Sequence, residues 1–369
     1  MESREQMEQL TELPDPFVFA DGSWVKTPRD WARRRKEILD LVVGLEYGGL
    51  PPSGAGVDAQ LLHNHKPGEF EGGSYVQFRL VLKNQPAFHF RLDLAIPPGE
   101  GPFPVILNGD GCYRFVTPRI VADVLRRRMI LAQFSRVEIA PDIYKPDRDT
   151  GLYPVYPEST FGAVSAWAWG YHRCVDALVT MKDVDASRIA VVGHSRGGKA
   201  VLLAGATDER IAVTAPNASG CGGAGSFYCR GRGCERIADL IKVVPYWFGP
   251  RLREYAGREE QLPFDQHFLK ALVAPRALIS TEGLDDLWAN PIGTRRTHEA
   301  AGEVYRFLDA PGSIAISYRP GDHDHNWDDW QVFLDFAQWQ FGQAKPTRDF
   351  NINPYPAAKP AFTWRAPAP

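Results

Sequence analysis

Six short apolar runs constrain the fold most: PVILN (104–108), ILAQF (130–134), IAVVG (189–193), IAVTAP (211–216), RALIST (276–281) and SIAISY (313–318). Stretches of helical pattern, such as AVSAWAWGYHRCVDALVTM and WDDWQVFLDFAQWQF, separate most of them. Strands covered on both faces read as such continuous runs, because neither face meets water. Their alternation with helices predicts an α/β chain, a three-layer αβα sandwich with a mainly parallel sheet. Before them, Phe88, Phe90, Leu92, Leu94 and Ile96 alternate with His89, Arg91, Asp93 and Ala95, the pattern of a half-buried strand. With the strand-like run around Tyr75 to Leu82 and the connection KNQPA, it predicts an antiparallel N-terminal hairpin at the sheet edge.

The 369 residues suit one large domain or two modest ones, and the pattern favours a single domain over 1–369. Residues 1–70 read as a helix and loop extension. Its helix starts at Thr27 as cap, with Pro28 in the first turn and Asp30 completing a capping box, and Gly48 and Gly49 end it. Residues 346–369 read as a Pro-rich tail lying on the surface. Net charge is −3 with no basic face or tail, which argues against a nucleic-acid partner. No apolar run reaches the ~18 residues of a membrane span. The start, MESREQMEQLTELPDP, lacks the apolar core of a signal peptide, so a secreted or periplasmic location applies only if a leader was trimmed. Five cysteines are too few and odd in number for a disulfide framework, although one bridge among Cys221, Cys229 and Cys234 stays open.

The run IAVVG ends in GHSRGG (193–198), and helix formers, KAVLLAGA, follow at once. Gly-x-Ser-x-Gly alone is common, but a strand-to-helix turn is the setting that a nucleophile elbow requires. There Ser195 sits at a helix N-terminus, where backbone amides favour developing negative charge. The competing reading is a tight turn with an incidental serine. A base and an acid must follow in the order Ser, acid, His. Asp285 and Asp286 follow the run RALIST, and His323 and His325 follow SIAISY, both at C-terminal ends of strands. The DHDH stretch could instead hold a cation, but no second ligand cluster accompanies it, so no metal is expected. Lys199, four residues after Ser195, returns to the same helical face and can look toward the site. The backbone amide of Arg196 is the expected first oxyanion donor, and the loop around Gly109 to Gly111 the expected second.

GHSRGGKA, NASGCGGAG, PYWFGPRLREYAG, LPFDQHFLKALVAPR, DDLWANP and RPGDHDHNWDDW together resemble carbohydrate esterase family 15, the glucuronoyl esterases, particularly bacterial members. The resemblance spans about residues 13 to 342. It implies an α/β-hydrolase that needs no cofactor and cleaves esters between 4-O-methyl-glucuronate on xylan and lignin alcohols. It implies Ser195 as nucleophile, His323 as base and Arg196 as an oxyanion-stabilising arginine. Lys199 and Trp288 match residues that contact the glucuronate, and Glu235 a sugar-binding glutamate. The D-x-W spacing of the family selects Asp286 over Asp285 as the acid. One departure is Ala218 in PNASG, where many members carry an acidic residue. The alternatives are a carboxylesterase for acetyl or small alkyl esters on the same fold, and a binding protein on a degenerate one; the intact Ser, His and Asp argue against the latter.

Overall fold

The computed structural model describes residues 7–54, 56–113, 115–346 and 348–367. A short strand β1 (Met7–Gln9) precedes helix α1 (Pro28–Glu46), which begins as its sequence requires. The Thr27 hydroxyl accepts from the Asp30 amide at 3.2 Å, and the Asp30 carboxylate accepts from the Thr27 amide at 3.0 Å. Trp31, Ile38, Val42 and Leu45 form its buried face. Gly48 ends it at φ +73°, where a Cβ would run into the Thr160 carbonyl.

The central sheet then opens with β2 (Val57–His65), β3 (Ser74–Leu82) and β4 (His89–Ile96), all antiparallel neighbours. The hairpin β3–β4 forms as expected, with Phe90, Leu92 and Leu94 buried. It is not the sheet edge, however. β2 lies outside it, within the segment read as helix and loop. VDAQLLHNH carries no apolar alternation because eight of its nine residues face solvent, so no period marks it.

The remaining strands are β5 (Phe103–Asn108), β6 (Ile130–Phe134), β7 (Val184–His194), β8 (Val213–Asn217), β10 (Ala277–Gly283) and β11 (Ile314–Arg319). A short β9 (Cys229–Gly231) pairs with β1 apart from the main sheet. The nine-stranded order is β11-β10-β8-β7-β5-β6-β4-β3-β2, parallel from β11 through β6. Each expected apolar run lies within two residues of one of these parallel strands, apart from a polar start to β7.

Alternate strand residues feed two separate cores. Val105, Leu107, Ile189 and Val191 pack with α1, α4 (Ala163–Leu178), α5 (Arg196–Thr207), α7 (Gln266–Val273) and α8 (Pro291–Phe307). Ile106, Ala190, Val192 and Ile279 pack with α2 (Pro118–Arg126) and α9 (Trp327–Gln340). This is the three-layer αβα sandwich. Two short helices, α3 (Arg136–Ile139) and α6 (Ile237–Val243), border the C-terminal ends of the strands. The described residues of the tail after 346 have no regular secondary structure, yet they are not simply laid on the surface. Phe350, Tyr355, Ala361 and Phe362 are buried, and the Ala361 carbonyl accepts from the Leu13 amide at 3.0 Å. Pro-rich backbone that leaves few donors unpaired can be packed in this way.

Candidate active site

Ser195 joins the end of β7 to the start of α5 with φ 56° and ψ −121°. That conformation is strained for a residue with a Cβ, and such strain is characteristic of functional turns. Two neighbours make it possible. A Cβ on Gly193 would meet the Gly197 carbonyl oxygen at 2.7 Å, and one on Gly197 would collide with the Asp110 carboxylate. Asp110 holds the turn from below. Its carboxylate accepts from the His194 amide at 2.8 Å and lies 3.4 Å from the Arg136 guanidinium, with both side chains buried. Burial pushes the Asp110 carboxyl up, and Arg136 opposes this. The Ser195 amide donates to the Asn217 carbonyl at 2.9 Å.

The loops after β10 and β11 bring the other two groups. Nε2 of His323 lies 2.9 Å from Oγ of Ser195, and Nδ1 lies 2.5 Å from Oδ2 of Asp286. Asp286 is buried, and its Oδ1 accepts from the Ala289 amide at 3.2 Å. Asp285 turns away and accepts from the Gly321 amide at 3.0 Å. His325 is buried and stacks between His194 and Trp330 at centroid distances of 5.7 and 5.1 Å. So adjacent residues diverge at both loops: His323 meets Ser195, and Asp286 meets His323.

Ser195 and His323 open on a cavity of about 290 Å³. Arg196, Lys199, Glu235 and Trp288 all line it. Lys199 is almost fully buried, and its ammonium donates to the carbonyls of Ser219 (2.7 Å) and Cys221 (2.5 Å) and to Glu235 Oε2 (3.1 Å). Trp288 is no core residue, for it stands at the rim with about half its surface exposed. The Arg196 guanidinium donates to Asp142 at 2.9 Å and lies over the Trp247 ring at 4.8 Å. Ala218 lines the cavity in the left-handed region, φ 42°, so this loop supplies a methyl group there and no carboxylate.

Gly109 corrects the expectation for the second oxyanion donor. Its amide donates to the buried Tyr171 hydroxyl at 2.7 Å. The amides of Asp110 and Gly111 are likewise taken, by Asn108 Oδ1 and the Phe134 carbonyl. These backbone donors serve the packing of the loop, not the cavity. Asp142 and Trp247 were missed. Asp142 accepts from Arg196, from Tyr246 and from Trp247, but it lies in a loop whose sequence carries no motif. Trp247 stood within the quoted PYWFGPRLREYAG without a role. Among the described residues, no group of three or more His, Cys, Asp or Glu is placed to hold a metal ion, and all five cysteines are free thiols. No helix among them is long and apolar enough to cross a membrane.

The sheet topology and a Ser–His–Asp cluster at a strand–turn–helix elbow define an α/β-hydrolase. Comparison with known proteins narrows the class. The family model for glucuronyl esterases of fungi matches residues 80–309. A 4-O-methyl-glucuronoyl methylesterase of Podospora anserina is 34% identical over 316 residues, covering 80% of this chain and 62% of that protein. Carbohydrate esterase MZ0003, from an unknown prokaryotic organism, is 29% identical over 388 residues, 88% of each chain. Among solved structures, a carbohydrate esterase family 15 glucuronoyl esterase from Caldicellulosiruptor kristjansonii superposes with a TM-score of 0.84 at 31% identity, covering 97% of this chain and 98% of that one. This chain belongs to the glucuronoyl esterase family, carbohydrate esterase family 15.

Proposed function

We propose that the chain is a serine esterase that hydrolyses 4-O-methyl-glucuronoyl esters, such as those joining xylan glucuronate to lignin alcohols. The observation that carries the reading is His323 bridging Ser195 and Asp286 at the mouth of a cavity lined by Lys199, Glu235 and Trp288. Asp286 holds the Nδ1 proton of His323, which leaves Nε2 free to take the proton of Ser195 as Oγ attacks the ester carbonyl. His323 then returns that proton to the leaving alcohol, and water releases the acid by the reverse sequence. The Arg196 amide, first in α5, is one oxyanion donor. Since Gly109 is committed to Tyr171, the Arg196 guanidinium serves as the second, held in place by Asp142. Lys199 lies where sugar hydroxyls and the acid product would gain from a cation, and the exposed Trp288 face suits the C–H surface of a pyranose.

The deciding experiment compares kcat/KM on benzyl glucuronate, benzyl galacturonate and acetylated xylan. The expected result is a clear preference for the glucuronate ester. Equal rates on all three, or a preference for acetylated xylan, would overturn the substrate class and favour the broader carboxylesterase.

Lys199 gives a sharper check. All three ammonium donors of Lys199 are engaged, so a sugar hydroxyl would take the place of Glu235, the longest of them. A hydrogen bond to a charged group contributes roughly 1.5–3 kcal/mol, or about 10- to 150-fold. Lys199→Ala is therefore expected to lower kcat/KM on benzyl glucuronate by about that factor. Hydrolysis of 4-nitrophenyl acetate, which has no sugar, should change less than about threefold by the same argument. Equal losses on both would show that Lys199 acts only by holding the Ser219–Cys221 loop.

A further inference from the structure

We propose that His194, the residue before the nucleophile, is a positioning residue for the base: its ring is the wall that keeps His323 in line between Ser195 and Asp286. The inference rests on the Ser195–His323 part of the reading above and is independent of the sugar. His323 makes two side-chain hydrogen bonds, both in the plane of its ring. Two such bonds fix the ring within its plane but leave it free to swing about the line joining its nitrogens. Beyond the side chain's own torsions, a contact on the ring is what resists that swing. About a third of the His323 side chain is exposed, so solvent holds part of the ring loosely. The His194 ring packs tilted against it, at a centroid distance of 4.5 Å and an interplanar angle of 43°.

The wall is itself rigid. The His194 ring lies between His323 and His325, and His325 rests on Trp330 at the start of α9. Phe115 closes its edge at 4.9 Å. Nδ1 of His194 lies 2.5 Å from Oδ1 of Asn217. The Asn217 amide nitrogen donates to Thr281, to Oγ1 at 2.8 Å and to the carbonyl at 3.2 Å, so its oxygen must be the atom turned to His194. His194 therefore carries its proton on Nδ1. It stays neutral while His323 takes and returns a proton. Burial and the neighbouring His323 push its pKa down to about 4, against the opposite pull of Asn217, Asp286 and Asp324. His325, on its other face, is buried and held neutral as well. A second cation against the imidazolium is thus avoided, and the ring contact is kept through the cycle.

The test uses three variants, each assayed for kcat and KM on benzyl glucuronate and 4-nitrophenyl acetate. H194A removes the ring. H194Q keeps a donor for Asn217 without a ring face, and H194F keeps a ring face without the donor. Loose placement of a catalytic group costs up to about 100-fold. H194A and H194Q are expected to lose about 10- to 100-fold in kcat, equally on both esters, with KM within about twofold. H194F should stay within about fivefold of the parent on the same scale. If H194A does not fold, H194Q against H194F decides. Loss-free H194Q, or an H194F as slow as H194Q, would overturn the inference. A parent inactive on the glucuronate ester but active on the acetate would sink the substrate reading alone, and the acetate rates would still judge His194.

Discussion

Ser195→Ala is expected to lower turnover by about 10⁶ on any ester the protein hydrolyses, with its melting temperature nearly unchanged. The size follows from the chemistry. Without Oγ there is no acyl-enzyme, and only binding and the oxyanion donors remain. The unchanged stability follows from the geometry. Ser195 holds φ 56° and ψ −121°, and its strain comes from the Cβ, which alanine keeps. The hydroxyl is lost, but its partner is the partly exposed His323, which water can serve in its place. The variant therefore separates reaction from fold. The check is kcat on 4-nitrophenyl acetate beside a thermal melt. Residual turnover above a few per cent, in a protein that melts normally, would remove Ser195 from the nucleophile's role.

How far the fold could be read depended on burial. Strands β5, β8 and β10 are buried along their whole length, so largely apolar runs announce them, with buried polar residues such as Thr214 and Thr281 among them. β2 is exposed along almost its whole length, so nothing in its residues separates it from a loop. It exists because the open edge of β3 offers backbone partners, a fact about the neighbour and not about VDAQLLHNH. The same distinction divides the site. Ser195, Asp286 and His323 each follow a legible strand, and chain order brings them to one end of the sheet. Lys199 was legible as one turn of helix from Ser195. What the sequence could not carry were the partners. The engagement of Gly109 by Tyr171 joins residues 62 apart, and that of Arg196 by Asp142 joins residues 54 apart. Neither pairing leaves a local pattern. The tail is a similar case. Its proline content marks it as irregular but says nothing of Phe350 and Phe362, which find pockets made by distant elements.

Asp286→Asn is expected to cost up to about 10⁴ in kcat while leaving the structure of the loop in place. Asparagine matches aspartate in shape, and its side-chain oxygen can still cap the Ala289 amide as Oδ1 of Asp286 does. Its nitrogen then faces His323. A donor at that place turns Nδ1 into an acceptor and moves the imidazole proton to Nε2, which can no longer take the proton of Ser195. The charge is lost as well, so an imidazolium formed in the reaction has no counter-ion in a site where Asp286 is buried. No rescue comes from the other loop that faces the cavity, because Ala218 presents only a methyl group. Asp285→Asn is the control. Its carboxylate serves the Gly321 amide rather than the base, and an asparagine oxygen can accept the same bond, so its kcat should stay within about threefold of the parent. The measurement is kcat for both variants on 4-nitrophenyl acetate across neutral pH, with circular dichroism to establish folding. A loss below tenfold for Asp286→Asn, or a larger loss for Asp285→Asn, would mean that the orienting carboxylate is not Asp286.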